Sequence, residues 1–362
     1  MSHPLLINCA FLNARPTGLM TYATNLLPYL HAPGLQPPLC LSARDLADVT
    51  CYSVPGNMSA DDGSQGHFRR LLWTQWQLPQ LYRRLQADLL FSPIPEAPLA
   101  SRCRFIVTLH DLIPLRYPVS RSPLSFYCRY YVPRVLSSAL HVLCDSEATA
   151  RDATDRLGIP AAKTTVIPLA CDRERFRPLA IEPGNFFLHL GRHDPHKNLA
   201  RVLRAFAALP RSSASDPELW LAGSGDRRHT PVLKALADEL GIATRVRWLD
   251  YVGADELPVL LNQAIALVFP SLWEGFGLPV LEAMACGTPV ITSNCSSLPE
   301  AAGDAALLVD PLSVDELSAA LQTIASDRSV QQQLRVRGLQ RAAQFSWERT
   351  GRETSALLAH WL

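Results

Sequence analysis

Short apolar runs alternate along the whole chain with longer stretches whose apolar residues recur every third or fourth position. In the first half the runs predict strands near Leu5–Cys9, Asp88–Phe91, Arg104–Leu109, Val142–Cys144 and Thr165–Ile167. Helices are predicted to start near Leu19, Pro123 and Ser146, and the Gly-, Ser- and Asp-rich residues 53–66 to form a mobile loop. A second series follows the proline-bearing segment from Phe176 to Pro183, with strands near Phe186–Leu190, Glu218–Ala222, Arg245–Leu249, Ile265–Phe269, Val290–Thr292 and Ala306–Val309. A helix from Asn198 places Leu199, Val202, Leu203 and Phe206 on one face; another has Thr230 as N-cap, Pro231 at its first position and Gly241 as its stop. Strand–helix alternation of this kind predicts parallel sheets covered by helices. The expected architecture is α/β, with two Rossmann-like domains over 1–172 and 173–345 facing each other across a deep cleft. A closing helix over 346–362 packs on the second domain or, as the expected course, crosses back to the first. Ligands belong in the crevice, where strand carboxyl ends and helix N-termini converge.

Bulk properties narrow the classes. The 362 residues are 48% hydrophobic and 19% charged, a globular composition, and the net charge of +1 argues against a broad grip on nucleic acid. No stretch approaches the ~18–20 unbroken apolar residues of a membrane span. The run from Pro4 to Leu12 is interrupted by Asn8 and has no basic segment before it, so it reads as a first strand and not a signal peptide, and a cytoplasmic location follows. The nine cysteines are scattered without a Cys-x-x-Cys pair, which predicts buried free thiols over disulfides or zinc. The stretch His67–Trp76 puts Phe68, Leu71, Leu72 and Trp76 on one helical face, beside Arg69, Arg70, Arg83 and Arg84. Such a helix can lie peripherally on an anionic membrane and meet a lipid-linked acceptor, or pack that face on the first sheet; packing is the expectation adopted. Core packing is likewise expected of Phe126, Tyr127, Tyr130 and Tyr131.

The strongest chemical signal is Glu274-Gly-Phe-Gly-Leu-Pro-Val-Leu-Glu282, between a strand and a helix that Pro279 starts and Gly287 stops. Gly275 and Gly277 let backbone approach a ligand, and the helix start offers free amides and the positive dipole end to a phosphate. Glu274 and Glu282 flank that point and suit the hydroxyls of a sugar and a ribose; a tight turn with a solvated glutamate is the bland alternative. In Gly191-Arg-His-Asp-Pro-His-Lys-Asn198, Arg192 and Lys197 follow a strand and suit a departing diphosphate, or merely an exposed basic loop. His193 and His196 lack the further ligands a metal site needs. His110, with Asp111, ends a strand of the first domain and is placed to contact a transferred sugar, or is structural. Gly18, in Pro16-Thr-Gly18, precedes a helix and permits close approach to a phosphate or sugar. Absences count too: Gly223-Ser-Gly225 lacks the third glycine of a dinucleotide fingerprint, and there is neither a Walker loop nor an Asp-x-Asp to hold a divalent ion.

Taken in order, these motifs resemble the retaining glycosyltransferases of family 4, which have the GT-B fold. The resemblance rests on the paired Glu274 and Glu282, Gly191-Arg192, Lys197-Asn198, Leu109-His110-Asp111, Gly223-Ser-Gly225, Asp145-Ser146-Glu147, Cys286-Gly-Thr-Pro-Val290, Leu298-Pro-Glu-Ala-Ala-Gly303 and the closing Phe345-Ser-Trp347. It implies that Glu274 binds the donor hexose and Glu282 the ribose. Arg192 and Lys197 would hold the diphosphate with the amides of Phe276, Gly277 and Leu278. His110 would contact the donor sugar, Gly18 would face donor and acceptor, and Gly223 and the segment Trp248–Val252 would border the nucleobase. It further implies front-face attack, in which the leaving phosphate takes the acceptor's proton, with no metal and no other cofactor. The run Gly18-Leu-Met-Thr-Tyr22 departs from the further glycines and basic residue of many relatives. The expected function is retaining, metal-independent transfer of a hexose, mannose or glucose, to a glycan or lipid-linked acceptor. The donor expected is GDP-mannose or a UDP- or ADP-glucose. A nucleotide-sugar epimerase or hydrolase of the same fold, or a non-catalytic sugar-nucleotide binder, are the alternatives.

Overall fold

A computed structural model of the chain describes residues 5–12, 18–31, 37–46, 48–119, 122–210 and 216–362. Pro4, Pro16 and Thr17, named above, lie outside them. The chain divides into two compact units: one runs to Leu169 and takes back Trp347–Leu362, and the other is Ala170–Ser346. Among the described residues no helix is long and apolar enough to cross a membrane.

The first unit holds strands β1 (Leu5–Asn8), β2 (Leu39–Ser42), β3 (Cys51–Ser53), β4 (Leu89–Ser92), β5 (Phe105–Leu109), β6 (His141–Cys144) and β7 (Thr164–Val166). They form one parallel sheet in the order β3-β2-β1-β4-β5-β6-β7. Its central strands are buried on both faces, which is why they read as unbroken apolar runs and not as alternation. Two expectations change here. Residues 53–66 are not one loop, because the helix Gly63–Arg84 begins inside them. That helix buries Trp73, Thr74, Leu78 and Leu81 and leaves Phe68, Leu72 and Trp76 exposed, so the expected packing face points outward. The inward face also carries Arg70, whose Nε and Nη2 donate to Glu96 at 2.7 and 2.8 Å; the buried carboxylate offsets the cost of burying a guanidinium. Of the four neighbouring aromatics, Tyr127 and Tyr131 pack on the core while Phe126 and Tyr130 are exposed. The closing helix Trp347–Trp361 packs within this unit on helix Gly18–Leu26, and Thr350 Oγ1 donates to the Pro168 carbonyl at 2.8 Å.

The second unit holds β8 (Phe186–Leu190), β9 (Glu218–Ala222), β10 (Val246–Leu249), β11 (Ala266–Phe269), β12 (Val290–Ser293) and β13 (Leu307–Val309). The sheet is parallel in the order β10-β9-β8-β11-β12-β13. Helix Leu199–Ala207 buries the predicted Leu199, Val202, Leu203 and Phe206. Helix Thr230–Glu239 starts one residue earlier than expected, with His229 at the N-cap. Thr230 Oγ1 instead accepts from the Asp226 amide at 2.8 Å. Strand order reverses between β8 and β11, and an open parallel sheet leaves a crevice at such a point, outside the strand carboxyl ends.

Candidate active site

Two loops of the second unit leave the sheet on either side of that reversal. The loop after β8 runs through Gly191 and Arg192 to Lys197; the loop after β11 runs through Glu274 to Gly277. Lys197 Nζ donates to Glu274 Oε1 at 2.6 Å and stands 4.8 Å from the centre of the Phe269 ring. Both side chains are largely withdrawn from solvent, at 15% and 11% exposure, so the cation and carboxylate are fixed rather than wandering on the surface. The backbone around Glu274 is held as firmly. Its N–H donates to Ser296 Oγ at 2.9 Å, and its carbonyl accepts from the Ser296 and Ser297 hydroxyls, each at 3.0 Å. The Leu272 amide donates to the His196 carbonyl at 2.7 Å, tying the two loops together.

Directly after Glu274 comes the helix Leu278–Cys286, with Gly277 at its N-cap and Gly287 at its end. Gly277 has φ 107°, and a Cβ there would stand 2.8 Å from Leu298 Cδ2, so this turn requires glycine twice over. Pro279 has no N–H and the Val280 amide donates to the Gly277 carbonyl at 3.0 Å. The helix end therefore presents fewer amides than the usual four. Phe276 is buried edge-on against Phe345 and anchors the loop, leaving its amide and not its ring for a ligand. Glu282, one turn into the helix, is partly buried; desolvation raises its carboxyl to about 7, and the Arg175 charge pulls the other way.

Arg192 keeps a 58% exposed side chain, with Nη2 donating to Asp226 Oδ2 at 3.1 Å and Nε 3.7 Å from Asp194. Arg228 binds the same Asp226, and its hydrogen bonds, with help from Arg192, hold that carboxyl far below the ordinary range. Asp226 is thus an anchor for the cationic loop. Its sequence signal was present, as the acidic residue between Gly225 and a pair of arginines, yet the fold is needed to see what it holds. Gly223 has φ 145°, and a Cβ would fall 2.2 Å from the Gly191 carbonyl, so glycine is required where the β8 and β9 loops touch. His193 Nδ1 lies 2.8 Å from Thr230 Oγ1 and the ring stands on Trp248; burial lowers the basicity of both His193 and His196. Among the described residues no three His, Cys, Asp or Glu side chains group to hold a metal ion.

His110 and Gly18 belong to the first unit. His110 ends β5 with both ring nitrogens engaged: Nδ1 lies 2.7 Å from Asp145 Oδ2 and Nε2 2.7 Å from the Pro93 carbonyl. A carbonyl and a carboxylate both accept, so each nitrogen must carry a proton and the ring is an imidazolium. Burial works against that charge, but Asp145 and the Pro93 carbonyl outweigh it and raise the ring's pKa. Gly18 opens the helix Gly18–Leu26, exposed and with open space around its Cβ position.

Known proteins decide the family. Residues 172–341 match the model for glycosyl transferases group 1, and residues 16–175 that for glycosyltransferase family 4. The O-antigen chain mannosyltransferase B of Escherichia coli is 33% identical over 266 residues, covering 69% of each chain. The chain belongs to glycosyltransferase family 4. The MMP alpha-(1->4)-mannosyltransferase of Mycolicibacterium hassiacum is 34% identical to this family 4 enzyme over 229 residues, 62% of this chain and about half (55%) of that one. The Anabaena HepE protein, solved in complex with UDP and glucose, superposes with a TM-score of 0.76 at 18% identity, covering 99% of this chain and 100% of that one. The likeness shows the GT-B fold. This family 4 chain is thus a hexosyltransferase built on two Rossmann-like units.

Proposed function

We propose that this enzyme transfers a hexose, mannose foremost, from a nucleoside diphosphate sugar to a glycan or lipid-linked acceptor, with retention and without a divalent ion. The carrying observation is the Lys197–Glu274 pair, fixed at the head of helix Leu278–Cys286 where the sheet order reverses. Two relatives named as mannosyltransferases support the sugar and, through the O-antigen enzyme, a surface polysaccharide as product. A structural neighbour solved with UDP and glucose supports the donor class.

On this reading the donor's diphosphate displaces Glu274 from Lys197 and takes its charge, with Arg192 and the Gly277–Leu278 amides on the remaining oxygens. Glu274, released, accepts from hexose hydroxyls, and Glu282 accepts from the ribose in its ionised form. Gly223 and Trp248–Val252 border the base. The bond from the anomeric carbon to the phosphate oxygen breaks with its electrons on phosphate. The acceptor oxygen bonds the same face of that carbon, and its proton passes to the departing phosphate. His110 has no free ring nitrogen, so its part at the hexose runs through its fixed positive charge. Gly18 keeps the adjoining backbone uncrowded.

Lys197→Ala tests the reading. Turnover with nucleotide sugars should fall by about a hundredfold or more, the usual loss for one fixed donor to a developing anion, while chelators leave wild-type turnover unchanged. Hydrolysis of the donor at the wild-type rate by Lys197→Ala, or activity restored only by a divalent ion, overturns it.

A further inference from the structure

Helix Gly63–Arg84 lies beside the helical segment 123–138, and the contacts fix their mutual rotation. The His67 and Tyr127 rings meet edge to face at 5.0 Å, and Gln75 Nε2 donates to Tyr131 Oη at 3.0 Å. The two helices therefore run parallel and meet through 67 and 75 on one and 127 and 131 on the other. Each residue turns an α-helix by about 100°, and somewhat less through the π-helical turn Tyr127–Tyr131. One step forward on the first helix and one step back on the second bring side chains to the same side of the pair. There stand Phe68, Leu72 and Trp76, exposed by 61%, 45% and 70%, and Phe126 and Tyr130, exposed by 58% and 50%. Phe126 stacks on Tyr130 with centroids 5.9 Å apart, making the second row a continuous aromatic surface. Contiguous exposed apolar area of this kind marks an interaction site.

Charge selects the partner. No acidic residue occurs from Gly63 to Gln86 or from Leu112 to Cys144, in a chain whose net charge is only +1. Arg69, Arg83, Arg129 and Arg134 are exposed on these two helical segments, and Arg83 lies seven residues past Trp76 on the same stripe. Two copies docking this face to face would bring arginines against arginines. We propose that the face formed by Phe68, Leu72, Trp76, Phe126 and Tyr130 docks the enzyme on an anionic phospholipid surface, the aromatics entering the interface and the arginines meeting headgroups. The inference stands apart from the donor chemistry.

The test is co-sedimentation of the full chain with vesicles of phosphatidylcholine alone and of phosphatidylcholine mixed with phosphatidylglycerol. Association should require phosphatidylglycerol and weaken as salt shortens the screening length from ~10 Å at 0.1 M to ~3 Å at 1 M. Quenching of fluorescence by brominated phosphatidylglycerol should drop in Trp76→Phe. Phe68→Ser with Trp76→Ser should lower partitioning by about a hundredfold, roughly tenfold for each ring kept from the interface. Donor turnover on a soluble acceptor should be unchanged in these variants, which shows that they fold and separates this test from that of the active site. Absence of wild-type binding, or binding that survives the double substitution, overturns the proposal. So does a dimer that the substitutions dissolve while vesicles are ignored.

Discussion

Asp145 and the Pro93 carbonyl grip His110 from either side, and Tyr22 closes the third with its ring edge-on at 4.8 Å. Because the ring is charged when folded and free to titrate near its ordinary value when unfolded, its grip is linked to pH. A raised folded-state pKa means that the folded chain holds the proton more tightly. The stabilisation is fully present below about 6.5, the unfolded value, and is lost as pH rises through the higher folded one. Asp145→Asn leaves the imidazolium buried without its counter-charge and should cost about 3 kcal/mol at pH 6. The gap between wild type and variant should narrow from pH 6 toward pH 9, as rising pH draws the proton from the ring. Thermal denaturation across that range checks the sign; a gap that widens with pH would mean that Asp145 does not hold the proton. The dyad was only half legible from sequence. His110 stood out as a strand-end residue and Asp145 only within the Asp145-Ser146-Glu147 motif, but that the histidine's nitrogens are both spent depends on Pro93, which no pattern connects to it.

At the scale of elements, the closing helix illustrates how packing overrides local preference. Gly351 sits mid-helix, where glycine costs about 1 kcal/mol relative to alanine. A Cβ there would lie 2.2 Å from Tyr29 Cβ, so the position is set by the approach of helix Trp347–Trp361 to Tyr29. Gly351→Leu should therefore destabilise the first unit by about 1–3 kcal/mol despite the better helix former, read as a lower midpoint of its unfolding. Strands β8, β11 and β12 were readable because burial on both faces leaves continuous apolar runs cut by Gly and Pro. Strands β2 and β3 were not: β3 is the edge strand with every residue at least partly exposed, and β2 beside it follows directly on Pro37 and Pro38. The helix Gly63–Arg84 was read on the wrong face for a physical reason: two apolar stripes compete along it, and the stripe that wins includes Arg70. Glu96, 26 residues away, makes that burial tolerable, with the Met58 carbonyl accepting a further guanidinium N–H. The Lys197–Glu274 pair spans 77 residues in the same way; both partners were legible and their meeting was not.

Across the whole molecule, each unit has its own sheet and its own apolar core, one built around residues such as Leu90, Val107 and Val142, the other around Phe187, Phe206 and Val268. Separate cores permit separate melting, and every residue proposed to hold the nucleotide and its diphosphate belongs to the second unit. A nucleoside diphosphate without its sugar should therefore raise the transition of the second unit, by about 2.7 kcal/mol when ligand exceeds its dissociation constant a hundredfold. Scanning calorimetry of the full chain resolves this. Gly351→Leu, which weakens only the first unit, identifies the transitions by moving the other one. The ligand-induced shift should survive EDTA, because on the proposed reading Lys197, Arg192 and a helix end supply the positive charge. A shift abolished by EDTA would assign that charge to an ion, and a shift confined to the transition that Gly351→Leu moves would place the nucleotide on the first unit's residues.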